Sequence, residues 1–314
     1  MKKFLAKRVL SVIPVLFVVS VIIFSLVHLV PGDPASAMLG DMATEADVAA
    51  LRTRMGLDRS LPEQYVVWVA NIFRGDLGSS VVSNETAATM IISHIQPTVS
   101  LALYSLIISA VIAVPLGIVA ARYKRSVVDH GVTVLSLAGI SLPSFLLGLF
   151  LMLLFAVKLR WFPVSGFKEL KDGFIPHIRS LTLPAIALGF MNAALMMRMT
   201  RASMLEVLNS DYIKMAKAKG VRDFTILVKH ALKNTMVTLI TVFGQSIVTA
   251  LAGAAVVESL FAVPGLGQLM VNSIGRRDYY VIQAIVLLIA VFNVLINMLI
   301  DILYGVVDPR VRVN

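Results

Sequence analysis

Long apolar blocks separated by polar segments dominate the pattern along this chain. Six stretches, residues 9–30, 99–121, 133–157, 183–199, 237–257 and 281–304, are almost free of charge. A bilayer hydrocarbon core about 30 Å thick is crossed by roughly 20 apolar residues in a helix. The fourth stretch is the shortest. Lipid offers no partner to a backbone N–H or C=O, so helices are the form such stretches must take. The pattern predicts an all-α polytopic membrane protein with six transmembrane helices.

The polar segments set the expected orientation. With residues 1–8, 122–132, 200–236 and 305–314 placed in the cytoplasm and Arg198, at the end of the fourth stretch, counted with them, 17 of the 28 lysines and arginines fall on that side. Their density there is more than twice that of the external segments 31–97, 158–182 and 258–280, the bias expected of cytoplasmic loops. Both termini are therefore expected to be cytoplasmic. The segment 158–182, with five cations, fits this least well. The first apolar run exceeds the usual signal-peptide core, so Lys2, Lys3, Lys7 and Arg8 followed by 9–30 read as an uncleaved span.

Loop 31–97 predicts short helices. Thr44 with Asp47 and Ser60 with Glu63 have capping-box spacing, Pro62 suits a first turn, and Gly56 and Gly75 suit stops. Tyr65, Trp68, Val69, Ile72 and Phe73 recur on one helical face. That face either lies in the lipid interface or packs on the spans, or it helps receive an external partner.

In loop 200–236, Ser210 and Asp211 suit a helix start and Gly220 a stop. The helix 211–219 carries Tyr212, Met215, Ala216 and Lys219 on one face. So short a helix is marginal alone in water and must dock on the bilayer surface, the spans or a soluble partner. Asp223 is expected to cap a second helix running towards Asn234. In segment 258–280, Pro264-Gly265 and Gly267 demand a sharp turn. Pro14, Pro115, Pro143 and Pro184 each interrupt a span's ladder, and 141–144 is a candidate flexing point.

Composition narrows the function. Hydrophobic residues make up 58% and charged residues 15%, which excludes a water-soluble globule. The net charge of +10 is accounted for by the membrane bias, so no nucleic-acid partner is expected. There is no cysteine, which rules out a disulfide or Cys-based metal site. None of the 19 glycines is followed by lysine, so no phosphate loop of the Gly-Lys-Ser/Thr kind exists. The five histidines form no His-x-x-x-His pair and no Gly-x-Ser-x-Gly elbow occurs. No metal site and no catalytic residue is expected.

Polar residues inside spans are costly. Thr238, Thr241, Gln245 and Thr249 share a face of the fifth span, and Asn293, Asn297 and Asp301 a face of the sixth. Each stripe is either interhelical glue or the wall of a water-accessible pathway. Thr241, Gln245 and Thr249 are the pathway candidates.

These features together resemble the permease subunits of dipeptide, oligopeptide and nickel ABC importers. The resemblance runs from Pro31-Gly32-Asp33-Pro34 through Met55-Gly56-Leu57-Asp58 and Arg74-Gly75-Asp76-Leu77-Gly78. It continues with Arg201-Ala202-Ser203-Met204, Asp211-Tyr212, Ala216-Lys217-Ala218-Lys219-Gly220 and His230-Ala231-Leu232-Lys233-Asn234. It ends with Glu258-Ser259-Leu260-Phe261, Pro264-Gly265-Leu266-Gly267, Arg277-Asp278-Tyr279 and Asp308-Pro309-Arg310. The chain departs from the general importer pattern at Lys214 and Met215, and from the family at Thr238, near which its members commonly carry a proline.

The resemblance implies an importer-type transmembrane domain over about residues 95–305, in a bacterial inner membrane. It makes 211–219 a coupling helix for an ATPase, through Asp211, Tyr212, Met215, Ala216, Ala218, Lys219 and Gly220. It implies a second homologous permease, two ATP-binding subunits that hold ATP and Mg, and an extracytoplasmic binding protein. Tyr65, Trp68 and Asp76 are candidates for receiving that protein. No cofactor is expected on this chain itself. Peptides are the implied cargo, with nickel chelates or glutathione as alternatives. A secondary transporter and an intramembrane enzyme are the competing classes; the first would favour midplane ionisable residues, and the span centres hold no acid.

Overall fold

In a computed structural model the described residues are 2–29, 34–40, 43–80 and 82–307. The motif residues 31–33 and 308–310, the end of the first expected span at Val30 and most of the C-terminal segment lie outside them. Among the described residues all the regular elements are helices. In chain order they are α1 (Lys2–Leu29), α2 (Pro34–Leu39), α3 (Glu45–Arg54), α4 (Leu61–Phe73), α5 (Ala87–Arg122), α6 (Val127–Ser141) and α7 (Ser144–Leu151). There follow α8 (Phe174–Leu208), α9 (Asp211–Ala218), α10 (Asp223–Thr225), α11 (Lys233–Phe261), α12 (Leu266–Gly275) and α13 (Tyr279–Val307). Wider π-type turns extend α7 over Met152–Lys158 and join α10 to α11 over Ile226–Leu232.

Among the described residues, four helical runs are long and apolar enough to cross a membrane: α5, α8, the continuous Asp223–Phe261, and Tyr279–Leu303 of α13. The expected third span is not one straight helix. α6 and the run Ser144–Lys158 meet at 105°. Proline has no N–H to continue the ladder and pushes its predecessor out of helical geometry. Accordingly Leu142 is extended, with φ −82° and ψ 121°, and Pro143 serves as the N-cap of α7. Pro14, Pro97, Pro115 and Pro184 remain inside helices. All four expected prolines withhold an N–H from a ladder, but only at Pro143 does the helix itself break.

Other boundaries move. α5 begins at Ala87, inside the expected external loop, because the Thr86 hydroxyl accepts from the Thr89 N–H and starts the helix early. α8 begins at Phe174, after Gly173 at φ 114°. α12 fills part of the expected loop 258–280, and the left-handed turn before it is at Ala262, not at a glycine. Asp223 lies inside α10, Arg222 takes the cap position, and the helical run continues to Phe261 rather than ending near Asn234.

The chain divides into two units. The first comprises Met1–Gln96 with Gly265–Leu295. Its core joins Ala87 and Ile91 of α5, Leu266 and Leu269 of α12, and Val281, Ala284 and Ile285 of α13. Both predicted capping boxes form, at Thr44/Asp47 and Ser60/Glu63.

The second unit comprises Pro97–Pro264 with Ile296–Asn314. α8 runs through its centre, with Leu181, Leu183, Ala185, Ala187 and Leu188 packed against Leu101 and Ala102 of α5 and Ala250, Ala254 and Val257 of α11. Small residues let the backbones approach closely, as they do where lipid gives no hydrophobic push. A methyl group at Gly189 would stand 2.7 Å from the Ser105 carbonyl oxygen, and one at Gly139 would stand 2.6 Å from Cβ of Ala194. The Ser109 hydroxyl donates to the Gly189 carbonyl oxygen at 2.7 Å, adding a polar tie at that crossing.

Candidate functional site

α9 forms where sequence gives it both a start and a stop. Asp211 stands in the first turn, where a negative charge meets the helix dipole. Ser210 occupies the N-cap in extended geometry, but its hydroxyl donates to the Val207 carbonyl oxygen and caps nothing. The expected side-chain cap is therefore absent, because the preceding helix end competes for the same hydroxyl.

At the other end Gly220, at φ 74°, takes the left-handed position. The Val221 N–H bonds back to the Ala216 carbonyl and the Gly220 N–H to that of Lys217, the paired pattern of a Schellman stop. The helix thus ends at Ala218, with Lys219 as C-cap.

Eight residues cannot hold a helix in water by propensity. The anchor is Ile213, which is fully buried. A second tie runs from the Asn234 amide to the Tyr212 hydroxyl at 2.9 Å. Asp211, Tyr212, Met215, Ala218 and Lys219 are exposed and Ala216 is half-buried. One face of α9 is therefore seated on its own chain and the rest is left open. Sequence reasoning missed Ile213. Its signal was available: it is the only large aliphatic residue in the helix apart from Met215.

The segments flanking α9 carry two ion pairs. Arg201, near the end of α8, grips Asp129 in the first turn of α6 through both Nε and Nη2, the latter at 2.8 Å from Oδ2. Asp129 is 4% exposed. It also accepts from the Arg125 N–H at 2.9 Å, which holds Arg125 in a left-handed conformation at φ 65°. On the other flank Asp223 pairs with Arg122, the last residue of α5. Both of these side chains are substantially exposed.

The expected pathway stripe on α11 divides. Thr249 donates to the Asn192 amide oxygen of α8 at 2.8 Å, and Thr238 accepts from Ser203 at 3.3 Å. These two tie helices together. Thr241 and Gln245 are exposed, and the Thr241 hydroxyl donates to the Val237 carbonyl oxygen. On α13 the Asn293 amide oxygen is buried without a hydrogen-bond partner. A buried acid that sequence reasoning left without a role is Glu258, fully enclosed near the end of α11, which accepts from the Thr98 hydroxyl at 2.6 Å.

In the first unit, the aromatic face of α4 turns towards α1. The Tyr65 hydroxyl meets that of Ser20 at 2.8 Å. The Tyr65 ring stands edge-on to Phe24 at 5.4 Å, and Trp68 lies 5.9 Å from Phe24. Phe73, expected on the same face, is 87% exposed. Asp76 is exposed, with one carboxylate oxygen accepting from the Gly78 N–H. Of the three candidates, Trp68 and Asp76 line one pocket of this unit together with Arg54 and Asn71, whereas Tyr65 is turned to Ser20 and Phe24. Among the described residues, no group of three or more histidine or acidic side chains could hold a metal ion.

Comparison with known proteins matches this sequence to one family. The model of the binding-protein-dependent transport system inner membrane component covers residues 113–313, and that of its N-terminal region covers residues 1–102. A probable peptide ABC transporter permease of Sinorhizobium fredii is 39% identical over 98% of this chain and 99% of its own length. A putative peptide permease of Brucella suis is 42% identical over the whole of both chains. The di/tripeptide transport system permease DppB of Pseudomonas aeruginosa is 38% identical over 99% of each.

Among solved structures, the fold is similar to a chain of the MetNI methionine ABC transporter in an inward-facing conformation. The TM-score is 0.58 at 17% identity, over 70% of this chain and 97% of that one. Membrane-spanning helices and this family indicate a multi-pass inner-membrane protein that works with an ATPase and a binding protein. The chain belongs to the binding-protein-dependent transport system inner membrane component family, the permease subunits of ABC importers.

Proposed function

We propose that this chain forms half of a peptide translocation pathway, paired with a second homologous permease and driven by two ATPase subunits that dock on α9. The observation that carries this reading is α9 itself. It is anchored on its own chain by Ile213 while its remaining faces, with Tyr212, Met215, Ala218 and Lys219, stand open to a partner. ATP and Mg2+ belong to those partners, and this chain contributes no covalent chemistry. The relatives named as peptide permeases support peptides as cargo. Six spans with both termini cytoplasmic would put α9 on the ATPase side and loop 31–97 outside, where an extracytoplasmic binding protein would dock near Asp76. Thr241 and Gln245, exposed on α11, are the residues offered to the path.

Nucleotide binding must favour one of two helix arrangements, since docking alone shifts no equilibrium. Ala216→Arg places a long cation on the half-buried edge of α9. We expect the variant to insert normally but to lose its ATPase subunits on purification and with them uptake of a labelled dipeptide into proteoliposomes. An Ala216→Arg transporter that keeps its ATPase subunits and imports normally would refute the docking role.

A further inference from the structure

The turn between α5 and α6 is held from both sides of α9. Two residues, Asn209 and Ser210, separate α9 from α8, and four, 219–222, separate it from α10. Arg201 lies seven positions before the end of α8, and Asp223 opens α10. Their partners, Asp129 and Arg122, stand at the two ends of the α5–α6 turn. We propose that these two ion pairs clamp that turn, so that a displacement of α9 is delivered to α5 and α6 as well as to α8 and α11. This rests on the reading of α9 as the coupling element.

The two ties differ in kind. Asp129 is buried and held at two points by a planar guanidinium, with a backbone N–H as a third donor. A buried carboxylate stripped of its partner is strongly disfavoured, so this tie stays closed. The fork also requires arginine, because a lysine ammonium makes no such two-point contact. Arg122–Asp223 is a single contact between side chains 37% and 51% exposed. Such a pair is weak and screened by salt, so it can open and close as the helices move. The α6 end of the turn is therefore held to α8 throughout, and the α5 end to the segment after α9 by a releasable contact, so α9 moves the turn and the neighbouring Val127 fully only while both ends are held.

The absence of cysteine allows a direct test. In the complete transporter in nanodiscs, a bimane is placed at Lys217→Cys on α9 or at Val127→Cys on α6, both exposed positions. Trapping the ATPase subunits with ATP and vanadate should shift the emission at both sites in the parent.

Arg122→Glu or Asp223→Arg should keep the shift at 217 and reduce that at 127 about fivefold, a size typical of residues that transmit coupling. The double exchange, Arg122→Glu with Asp223→Arg, should restore it. Arg201→Lys should also lose the shift at 127, whereas Arg122→Lys should keep it. Should a charge reversal fail to assemble, Arg122→Gln and Asp223→Asn take its place with the same expectation.

A full shift at 127 in the single variants, or a double exchange no better than either single, would overturn the clamp. An unchanged signal at 217 in the parent would instead refute α9 as the coupling element, a separate failure.

Discussion

Ile213→Ala tests how α9 is kept in place. The isoleucine is fully buried in an eight-residue helix. Truncation to alanine removes three carbons, worth about 2.4 kcal/mol at about 0.8 kcal/mol each. The cavity left behind adds to this, giving roughly 3 kcal/mol, within the range for large-to-small changes in cores. Every 1.4 kcal/mol is tenfold, so the undocked population of α9 should rise about a hundredfold.

Lys214, Lys217 and Lys219 lie on or at the end of α9 and supply trypsin sites. Cleavage that follows the open population should therefore accelerate by up to that factor in the purified permease. Met215→Ala, at a side chain 60% exposed, should change cleavage by less than about twofold. The global melting temperature should move little, because the opening is local. Cleavage of Ile213→Ala at the parent rate would show that another contact holds α9, and the burial argument would fail.

Three further outcomes follow from other parts of the fold. Gly189→Ala should lower the melting temperature of the detergent-solubilised protein by a cost of about 1–3 kcal/mol, since the methyl meets the Ser105 carbonyl oxygen; an unchanged melting curve would mean the helices part freely there. Thr98→Ala should cost about 1–3 kcal/mol by taking a donor from buried Glu258, while Thr98→Ser should not, measured by the same melting curves. Asp47 is held below its usual 3.8 by the side-chain and then the backbone hydrogen bond from Thr44. A depressed folded value stabilises above the unfolded one, so amide protection of α3 should persist at neutral pH and fade as pH drops through and below 3.8. Loss of that protection near neutral pH would contradict the sign.

The sequence made some features legible because they depend on local chemistry. The capping boxes at Thr44 and Ser60, and the stops at Gly56, Gly75 and Gly220, need only neighbours within a few residues. The apolar periods also located the long helices. Their ends were less legible: α5 and α8 continue beyond the hydrocarbon-length core, where packing rather than hydropathy sustains a helix. The break at Pro143 was legible as a possibility, but three other expected interrupters stayed in helices. Whether a proline breaks or bends depends on neighbours that a sequence does not display. The residue choices around α9 were half legible. Its open face follows from periodicity, whereas the ion pair Asp129–Arg201 joins positions 72 apart, and nothing local announces it.

The length of α8 has a consequence for where energy is received. The helix has 35 residues, and between Arg179 and Arg198 it carries an 18-residue run without charge. At 1.5 Å per residue that run measures about 27 Å, close to the thickness of the hydrocarbon. The remaining stretch from Arg198 to Leu208 adds about 16 Å beyond it. On the proposed topology α9 is thus carried on a stalk, clear of the acyl chains and beyond a headgroup layer of about 5–8 Å per side. An ATPase that docks on α9 as proposed would meet this helix before the lipid, and its engagement should be indifferent to acyl-chain length.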